Sequence, residues 1–256
     1  AIMEIGSIDR AEILFTLFWV FFIGLVIYLQ REAKREGYPL DSDNEGVVVQ
    51  GFPAVPEPKT YKLPHGYDDV QAPSGAKPET GHKLRPVADH PGAPAEPTGD
   101  NPMLDGVGPG SWANRHDKPE LTLPGEPRFV PMRTLPDFHV DEHDPDPRGM
   151  TVIGADDEVA GTVTDLWVDR VEPMIVFFEV QLEGEGARRV LVPMNFSRVR
   201  KGKGQIKVHS IYSHQFKDIP GTAAEEQITA LEEEKILAYF GAGLLYADEQ
   251  RQEPLL

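Results

Sequence analysis

The sequence predicts a membrane-anchored chain with one N-terminal transmembrane α-helix, an extended Pro-rich segment, and a small antiparallel β-barrel followed by a C-terminal helix. Three observations predict this fold class. One run near the N-terminus is apolar and uncharged, the next stretch holds 20 of the 24 prolines, and short β-branched segments separated by turns follow it. The expected divisions are residues 1–12, 13–30, 31–148 and 149–256.

The apolar run predicts a single membrane crossing. Between Glu12 and Arg31 lie 18 uncharged residues. As an α-helix they would span roughly 27 Å, close to the thickness of a bilayer's hydrocarbon core. A signal peptide would carry basic residues before the run and a small-residue cleavage site after it, which this chain does not. A buried globular helix is the other alternative, and the length favours the membrane span.

Charges beside the run predict its orientation. Arg31, Lys34 and Arg35 follow it, whereas only Arg10 precedes it. Because basic residues stay on the cytoplasmic side, residues 1–12 are expected outside and the bulk of the chain in the cytoplasm.

Composition excludes several classes of function. The net charge is −17, with 42 acidic and 25 basic residues. Such a field repels phosphate backbones, so nucleic acid is not an expected partner. The chain has no cysteine, which excludes disulfides, thiolate catalysis and zinc–thiolate sites.

The Pro-rich segment cannot form helix interiors or central strands, so it is expected to be extended. A flexible linker is one interpretation of that composition. Large apolar side chains favour a segment that lies over another protein and buries them there. These residues are Tyr38, Phe52, Tyr61, Leu63, Met103, Leu104, Trp112, Phe129, Met132 and Phe138.

Strand signals begin at residue 149. In the segment 174–182, Val176, Phe178 and Val180 share one face, and Glu179 and Gln181 are expected on a solvated opposite face. Short strands joined by polar turns such as 154–157, 183–186 and 201–204 favour a small closed barrel. The predicted strands are 150–153, 159–169, 174–182, 188–193 and 205–208.

The last segment predicts a helix. Thr229 and Glu232 have the spacing of a capping box, in which each side chain accepts a hydrogen bond from a backbone N–H at the helix start. Glu232, Glu233 and Glu234 suit the first turn because of the helix dipole, and we interpret them as a solvated face. Gly241 is the expected end of the helix.

Motifs for catalysis are absent, including phosphate-binding loops, nucleophile elbows and His-Glu-x-x-His. His139 and His143 would suit a metal if their segment were helical, but neighbouring prolines favour an exposed acidic loop. Asp165, Asp169 and Glu172 form a second acidic group, for which ordinary turn chemistry is the alternative interpretation.

Motifs along nearly the whole chain match one family in order and spacing. The chain resembles the H subunit of the photosynthetic reaction centre of purple bacteria. The motifs are Arg-Glu-Gly-Tyr-Pro-Leu at 35–40, Pro-Lys-Thr-Tyr at 58–61, Leu-Pro-His-Gly at 63–66, Asp-Gly-Val-Gly-Pro at 105–109, Ser-Trp at 111–112, Phe-His at 138–139, Glu-Val-Ala-Gly at 158–161, Asp-Leu-Trp-Val-Asp at 165–169, Phe-Glu-Val at 178–180, Leu-Glu-Glu-Glu-Lys at 231–235 and Gly-Leu-Leu-Tyr-Ala at 243–247.

The resemblance implies a PRC-barrel and a subunit that binds no pigment and is not an enzyme. Its implied place is the intracytoplasmic photosynthetic part of the inner membrane, with the N-terminus in the periplasm. Its implied partners are the L and M subunits, the core light-harvesting antenna and membrane lipids. The whole complex is implied to hold bacteriochlorophyll, bacteriopheophytin, two quinones, non-haem iron and a carotenoid. The implied role is to cap L and M, stabilise the quinone region and help conduct protons to the secondary quinone.

The resemblance also implies which residues conduct protons. Glu172 matches the family's acidic residue nearest the quinone route, and Asp169 matches its acidic neighbour. The histidines and aspartate that follow Pro-Glu-Leu elsewhere in the family are missing after residue 121, so Glu120 and Glu126 are expected to take their place. A basic residue of the family is replaced by Val176, and Arg170 is expected to substitute for it. We expect Glu172 to have a raised proton affinity, and Asp169 to act more weakly because it lies nearer the exposed edge of the turn.

Two other classes of protein share parts of this pattern. One is a membrane-tethered adaptor whose barrel binds a different partner, and the other is a ribosome-maturation type of barrel protein. The anchor and the net charge of −17 oppose the latter. Co-purification of bacteriochlorophyll absorbance in mild detergent distinguishes the adaptor from a reaction-centre subunit.

Overall fold

The computed structural model describes residues 10–38, 40–41, 48–75, 83–90, 92–184 and 187–252. The predicted outer terminus lies outside these ranges except for residues 10–12, as does the second half of the predicted turn 183–186. The chain divides into two compact units, Ala1–Glu79 and Thr80–Leu256.

The first unit begins with helix α1, Arg10–Ala33, which contains the whole predicted span. None of its described side chains is buried within the chain, and it is long and apolar enough to cross a membrane. Two short antiparallel pairs follow the helix. They are β1 (Leu40–Asp41) with β2 (Val48–Val49) and β3 (Lys59–Tyr61) with β4 (Val70–Ala72).

Two basic residues at the end of α1 organise the chain that follows it. The Nζ of Lys34 is buried and donates to the carbonyls of Gln50, at 2.6 Å, and Pro53, at 2.7 Å. The guanidinium of Arg35 donates to the carbonyls of Glu57, at 2.6 Å, and Ala72, at 3.2 Å. These cations therefore satisfy backbone acceptors in a Pro-rich stretch that has few ladder hydrogen bonds of its own.

The second unit contains a seven-stranded sheet and helix α2, Ala230–Tyr246. A separate antiparallel pair, β5 (Leu84–Pro86) and β6 (Ala95–Pro97), precedes the sheet. The strands of the sheet are β7 (Phe129–Pro131), β8 (Thr151–Ile153), β9 (Val159–Asp169), β10 (Met174–Leu182), β11 (Arg189–Pro193), β12 (Ser197–Arg200) and β13 (Gln205–Val208).

Pairing in the sheet follows the order β11-β10-β9-β8-β13-β12, and β7 pairs with the end of β9. All pairs are antiparallel except β8 with β13. The five predicted strands are present, which confirms the barrel-type strand pattern. Strands β7 and β12 were not predicted because both are short, and β7 also depends on pairing with the distant end of β9.

The core lies between the sheet and α2. Phe178, Val192 and Ile206 of the sheet are fully buried together with Ile236 and Phe240 of the helix. The capping box of Thr229 and Glu232 is confirmed, since Glu232 N donates to Thr229 Oγ1 at 3.1 Å and Thr229 N donates to Glu232 Oε2 at 2.9 Å.

Gly241 does not end the helix, so that prediction was wrong. The helix continues to Tyr246, and Gly241 instead allows the chain at Pro109 to approach closely. A Cβ at Gly241 would lie 2.6 Å from the Pro109 carbonyl oxygen, and one at Gly110 would lie 2.9 Å from the Cβ of Ala242. The Gly-Pro-Gly segment 108–110 thus packs directly on α2.

The Pro-rich segment differs from the prediction in its second half. Phe129 is only 7% exposed, and Met103 and Met132 are buried in the same core, so they cannot be buried against another protein. Phe52, in contrast, is 84% exposed, and Tyr61 and Trp112 are also exposed. The predicted partner surface is therefore wrong for Met103, Phe129 and Met132, and it stays a prediction for the exposed residues.

The first testable consequence concerns these two phenylalanines. Phe129→Ala should destabilise the chain by about 3 kcal/mol, because it removes a buried ring. Phe52→Ala should change stability by less than about 0.5 kcal/mol, since its ring contributes little to the core of the isolated chain. Denaturation of the full chain in detergent, followed by tryptophan fluorescence to which buried Trp167 contributes, measures both changes in stability. If both substitutions reduced stability equally, the distinction between a buried Phe129 and an exposed Phe52 would be contradicted.

Candidate functional site

The predicted acidic residues meet where three distant parts of the chain come together. The loop 115–128 lies against the start of α2 and the end of β9. Its backbone joins α2 through a bridge between Pro119 and Thr229, and joins β9 through the hydrogen bond from Arg170 N to Arg128 O at 3.0 Å. We call the resulting set of side chains the carboxylate cluster. It consists of Glu120, Glu126, Asp169, Glu172, Glu233 and Glu234 with Arg115, Arg128 and Arg170.

Asp169 is the fixed charge of the cluster. It is 2% exposed and receives a bidentate pair of hydrogen bonds from Arg128, at 2.9 Å from Nε and 2.5 Å from Nη2 to Oδ2. The backbone N–H groups of Val171 and Glu172 also donate to its Oδ1. Burial alone would raise the pKa of Asp169, but these donors outweigh it and lower the pKa.

The expectation that Asp169 lies at the exposed edge of the turn was therefore wrong. Its side chain folds back under the turn 170–173 and holds that turn in place. Glu172 is the exposed residue, and its described hydrogen bond within this chain is the one from its backbone N–H to Asp169, at 3.3 Å.

The other predicted residues are brought together by ion pairs. Glu120 accepts from Arg128 Nη1 at 3.2 Å and also pairs with Arg115, while Arg115 lies 3.6 Å from a carboxylate oxygen of Glu234. Glu126 pairs with Arg170 and is the more exposed of the two loop acids. Arg170 thus lies in the cluster, and its role as a substitute for the missing basic residue stays a prediction.

Glu233 is the residue that sequence reasoning missed. It was interpreted as part of a solvated face, but it is half-buried and lines a cleft of about 440 Å³ with residues of β10, Met194 and Leu237. Burial, followed by the nearby charge of Glu120, raises the pKa of Glu233 to about 7. A carboxyl group with that pKa exchanges protons near neutral pH, unlike Asp169.

A signal for Glu233 was present in the helix spacing. Ile236, Leu237 and Phe240 follow it at three, four and seven residues, so it shares the apolar face of α2. Glu232 and Glu234 do not have this spacing. All three glutamates were interpreted through the helix dipole, which does not distinguish Glu233 from its two neighbours.

Asp165 belongs to a second buried charge network and not to the carboxylate cluster. Arg133 Nη1 donates to Asp165 at 3.0 Å and to Glu179 at 2.9 Å, and Trp167 Nε1 donates to Glu179 at 3.1 Å. Glu179 is 4% exposed, so the predicted solvated face of β10 was wrong. Because Arg133 comes from the segment after β7, that segment covers this face.

The segment with His139 and His143 forms a loop, as its prolines predicted. His143 is exposed, and its Nδ1 lies 2.9 Å from Asp141 Oδ1. Within the described ranges, no group of three or more histidine, aspartate or glutamate side chains is placed to hold a metal ion.

The Asp169–Arg128 pair generates a second prediction. Arg128→Met should destabilise the chain by about 3 kcal/mol, because it leaves a buried carboxylate without its counter-charge. Adding Asp169→Asn should recover part of the lost stability, because it removes the unpaired charge. The amide oxygen can still accept hydrogen bonds from the backbone N–H groups of Val171 and Glu172. Arg170→Met, which breaks the exposed pair with Glu126, is the matched control and should cost less than about 1 kcal/mol. Denaturation of the full chain in detergent at pH 7 measures the three variants, and equal losses for Arg128 and Arg170 would contradict the assignment.

Comparison with known families agrees with this architecture. Residues 3–134 match the family model for the N-terminal region of the photosynthetic reaction centre H chain. Residues 139–215 match the family model for the PRC-barrel domain, which confirms the predicted barrel. Because the first match alone covers more than half of the sequence, the protein belongs to the photosynthetic reaction centre H-chain family.

Proposed function

We propose that this chain caps the cytoplasmic face of the L and M subunits, stabilises the quinone region and conducts protons to the secondary quinone. As an H chain it is a membrane-anchored subunit of a light-driven electron-transfer complex. The observation that carries the proposed proton conduction is Glu233, an acid with a pKa of about 7 that lines a cleft beside the start of β10.

An apolar edge of the sheet supports the capping role. The turn after β9 and the segment after β11 lie at the same edge, because β9 and β11 both run antiparallel to β10. Val171, Met174 and Met194 are all exposed there. We call this region the docking edge. An exposed apolar surface next to an acidic cluster fits burial beneath another protein. Exposed Phe52 and Tyr61 extend the same argument to the first unit.

The two kinds of acid in the cluster support proton conduction. Asp169 stays ionised because its pKa is lowered, so it supplies a constant negative charge. Glu233 can take up a proton from water through the exposed acid Glu126 and the half-buried Glu120, and release it toward the docking edge, where Glu172 is exposed. Each release leaves the Glu233 carboxylate, which the next proton from the cytoplasm neutralises. When the secondary quinone is fully reduced it consumes protons, and these residues would supply them.

Orientation is part of the proposal. The basic flank Arg31, Lys34 and Arg35 favours a cytoplasmic location for the chain after α1 and a periplasmic location for residues 1–12. The chain would lie in the inner membrane beside L and M, with the antenna around the complex.

Protease accessibility tests this orientation. Protease added to inside-out vesicles should remove most of the chain after α1, whereas protease added to intact spheroplasts should remove almost nothing. Immunoblotting with an antibody against the C-terminal unit gives the readout. Digestion from the periplasmic side would overturn the orientation.

The fourth prediction concerns proton delivery by the assembled complex. Glu233→Gln should slow the second electron transfer at the secondary quinone by about tenfold or more, because it removes a positioned proton donor. The first electron transfer should change little. Glu233 is protonated below its pKa of about 7 and ionised above it, so the wild-type rate should fall as the pH rises through 7, and the variant should lack that inflection.

Flash-induced proton uptake between pH 6 and 9 measures these effects. Glu172→Gln should also slow the second transfer, since this residue would pass the proton on at the docking edge. Glu183→Gln, an exposed acid at the opposite edge of the sheet, is the matched control and should behave as wild type. Unchanged uptake in both Glu233→Gln and Glu172→Gln would contradict the proposed proton route.

A further inference from the structure

Helix α1 carries different side chains on two opposite faces. One face holds four aromatic rings that contact one another, with ring centroids between 5.8 and 6.0 Å apart. These rings belong to Phe15, Phe18, Trp19 and Phe22, whose spacing of three, four and seven residues places them together. We call them the aromatic face. Because the rings pack on one another, this side of the helix is bulky.

The opposite face is aliphatic and has a glycine in its middle. Its residues follow one another at alternating spacings of four and three, which keeps them on one side of a helix. Because Ile13 precedes Phe15 by two residues, or about 200° of rotation, this side points away from the rings. We call it the glycine face. It consists of Ile13, Leu17, Val20, Gly24 and Ile27.

Gly24 has no packing role within this chain. A Cβ at this position would meet no atom within 4 Å, so nothing in the described part of the chain requires a glycine here. A glycine inside a helix costs about 1 kcal/mol relative to alanine. In a membrane, however, a glycine on a helix face lets a second helix approach the backbone closely. The glycine face therefore suits a helix that the described residues do not supply.

The glycine face leads directly to the residues that hold the Pro-rich chain. Lys34 and Arg35 follow Ile27 at seven and eight residues, so they extend the same side of the helix. Hydrogen bonds from Lys34 N to Arg31 O, at 3.2 Å, and from Arg35 N to Glu32 O, at 3.1 Å, continue the helical winding to this point. The two side chains donate to the carbonyls of Gln50, Pro53, Glu57 and Ala72. The Pro-rich chain is thus held on the glycine side of α1.

We propose that the glycine face of α1 packs against a membrane-spanning helix of the L and M pair, and that the aromatic face is turned toward lipid. The inference rests on the proposed capping role, in which the Pro-rich chain lies over L and M. Because Lys34 and Arg35 hold that chain on the glycine side, L and M lie on the same side of α1. Their membrane-spanning helices are then the neighbours that the glycine face meets.

Exposed Phe52 supports the same choice of side. It lies between Gln50 and Pro53, the two residues whose carbonyls Lys34 binds. The lysine that extends the glycine face therefore also fixes the backbone on both sides of this exposed ring. A single partner on this side of α1 would cover both the glycine face and Phe52.

Spin labels on the two faces test the assignment. The chain has no cysteine, so Val20→Cys and Phe22→Cys each create one labelling site. The two sites differ in depth by only about 3 Å, because they are two residues apart on the helix. Each labelled full chain is placed in lipid nanodiscs, alone or assembled with L and M. Collision of the nitroxide with oxygen dissolved in the bilayer then reports access to lipid.

The expected result is similar access at both sites for the chain alone. In the assembled complex, access should fall severalfold at residue 20 and stay unchanged at residue 22. A fall at residue 22 instead, or the same change at both sites, would overturn the face assignment and leave the capping of L and M intact. A fall at residue 20 in the chain alone would overturn the proposal in favour of a second copy of α1. Failure of the chain to assemble with L and M would overturn the proposed function, and this packing with it.

Substitution of the glycine gives a second test. Gly24→Leu should weaken association with L and M by about tenfold, because the new side chain holds the partner helix away. Leucine favours a helix more than glycine does, so α1 should still form. Val26→Leu, on the side of the aromatic face, is the matched control and should leave association unchanged. Co-elution of the chain with bacteriochlorophyll absorbance in mild detergent measures both variants, and equal results for the two would contradict the assignment.

Discussion

The buried pair of Asp169 and Arg128 is the interaction on which the rest of the site depends. It joins the end of β9 to the Pro-rich segment, because Arg128 directly precedes β7, which pairs with β9. The same guanidinium reaches Glu120, so one cation holds the loop acids next to the barrel. The lowered pKa of Asp169 contributes stability that is present at neutral pH and lost as the pH falls through that pKa.

The acids of the site have two electrostatic roles, which cannot be distinguished from residue type alone. Asp169 receives guanidinium and backbone donors, and Glu179 receives a guanidinium and the indole N–H of Trp167, so both acids stay ionised although they are buried. Glu233 faces the apolar side chains of the cleft and the like charge of Glu120, so its proton is held more tightly. Fixed negative charge beside one titrating group is a suitable arrangement for attracting protons and passing them on near neutral pH.

Local patterns account for what could be predicted from the sequence. The uncharged run predicted α1, β-branched alternation predicted β9 and β10, and Thr229 with Glu232 predicted the start of α2, because each depends on neighbouring residues. The incorrect predictions concern features that depend on residues distant in the sequence. Glu179 is buried because Arg133 arrives from another segment, and Gly241 lies inside a helix because Pro109 packs on it. The raised pKa of Glu233 likewise needs Glu120 and the start of β10.

The central claim is that one carboxyl group at this site carries a proton at neutral pH. Infrared difference spectroscopy between pH 6 and pH 8 detects it directly, because a protonated carboxyl has a carbonyl stretch that the carboxylate lacks. The account predicts one band that disappears with a midpoint near pH 7, shifts on ¹³C-labelling of glutamate and is missing in Glu233→Gln. A spectrum without such a band, or the same band in Glu233→Gln, would contradict it.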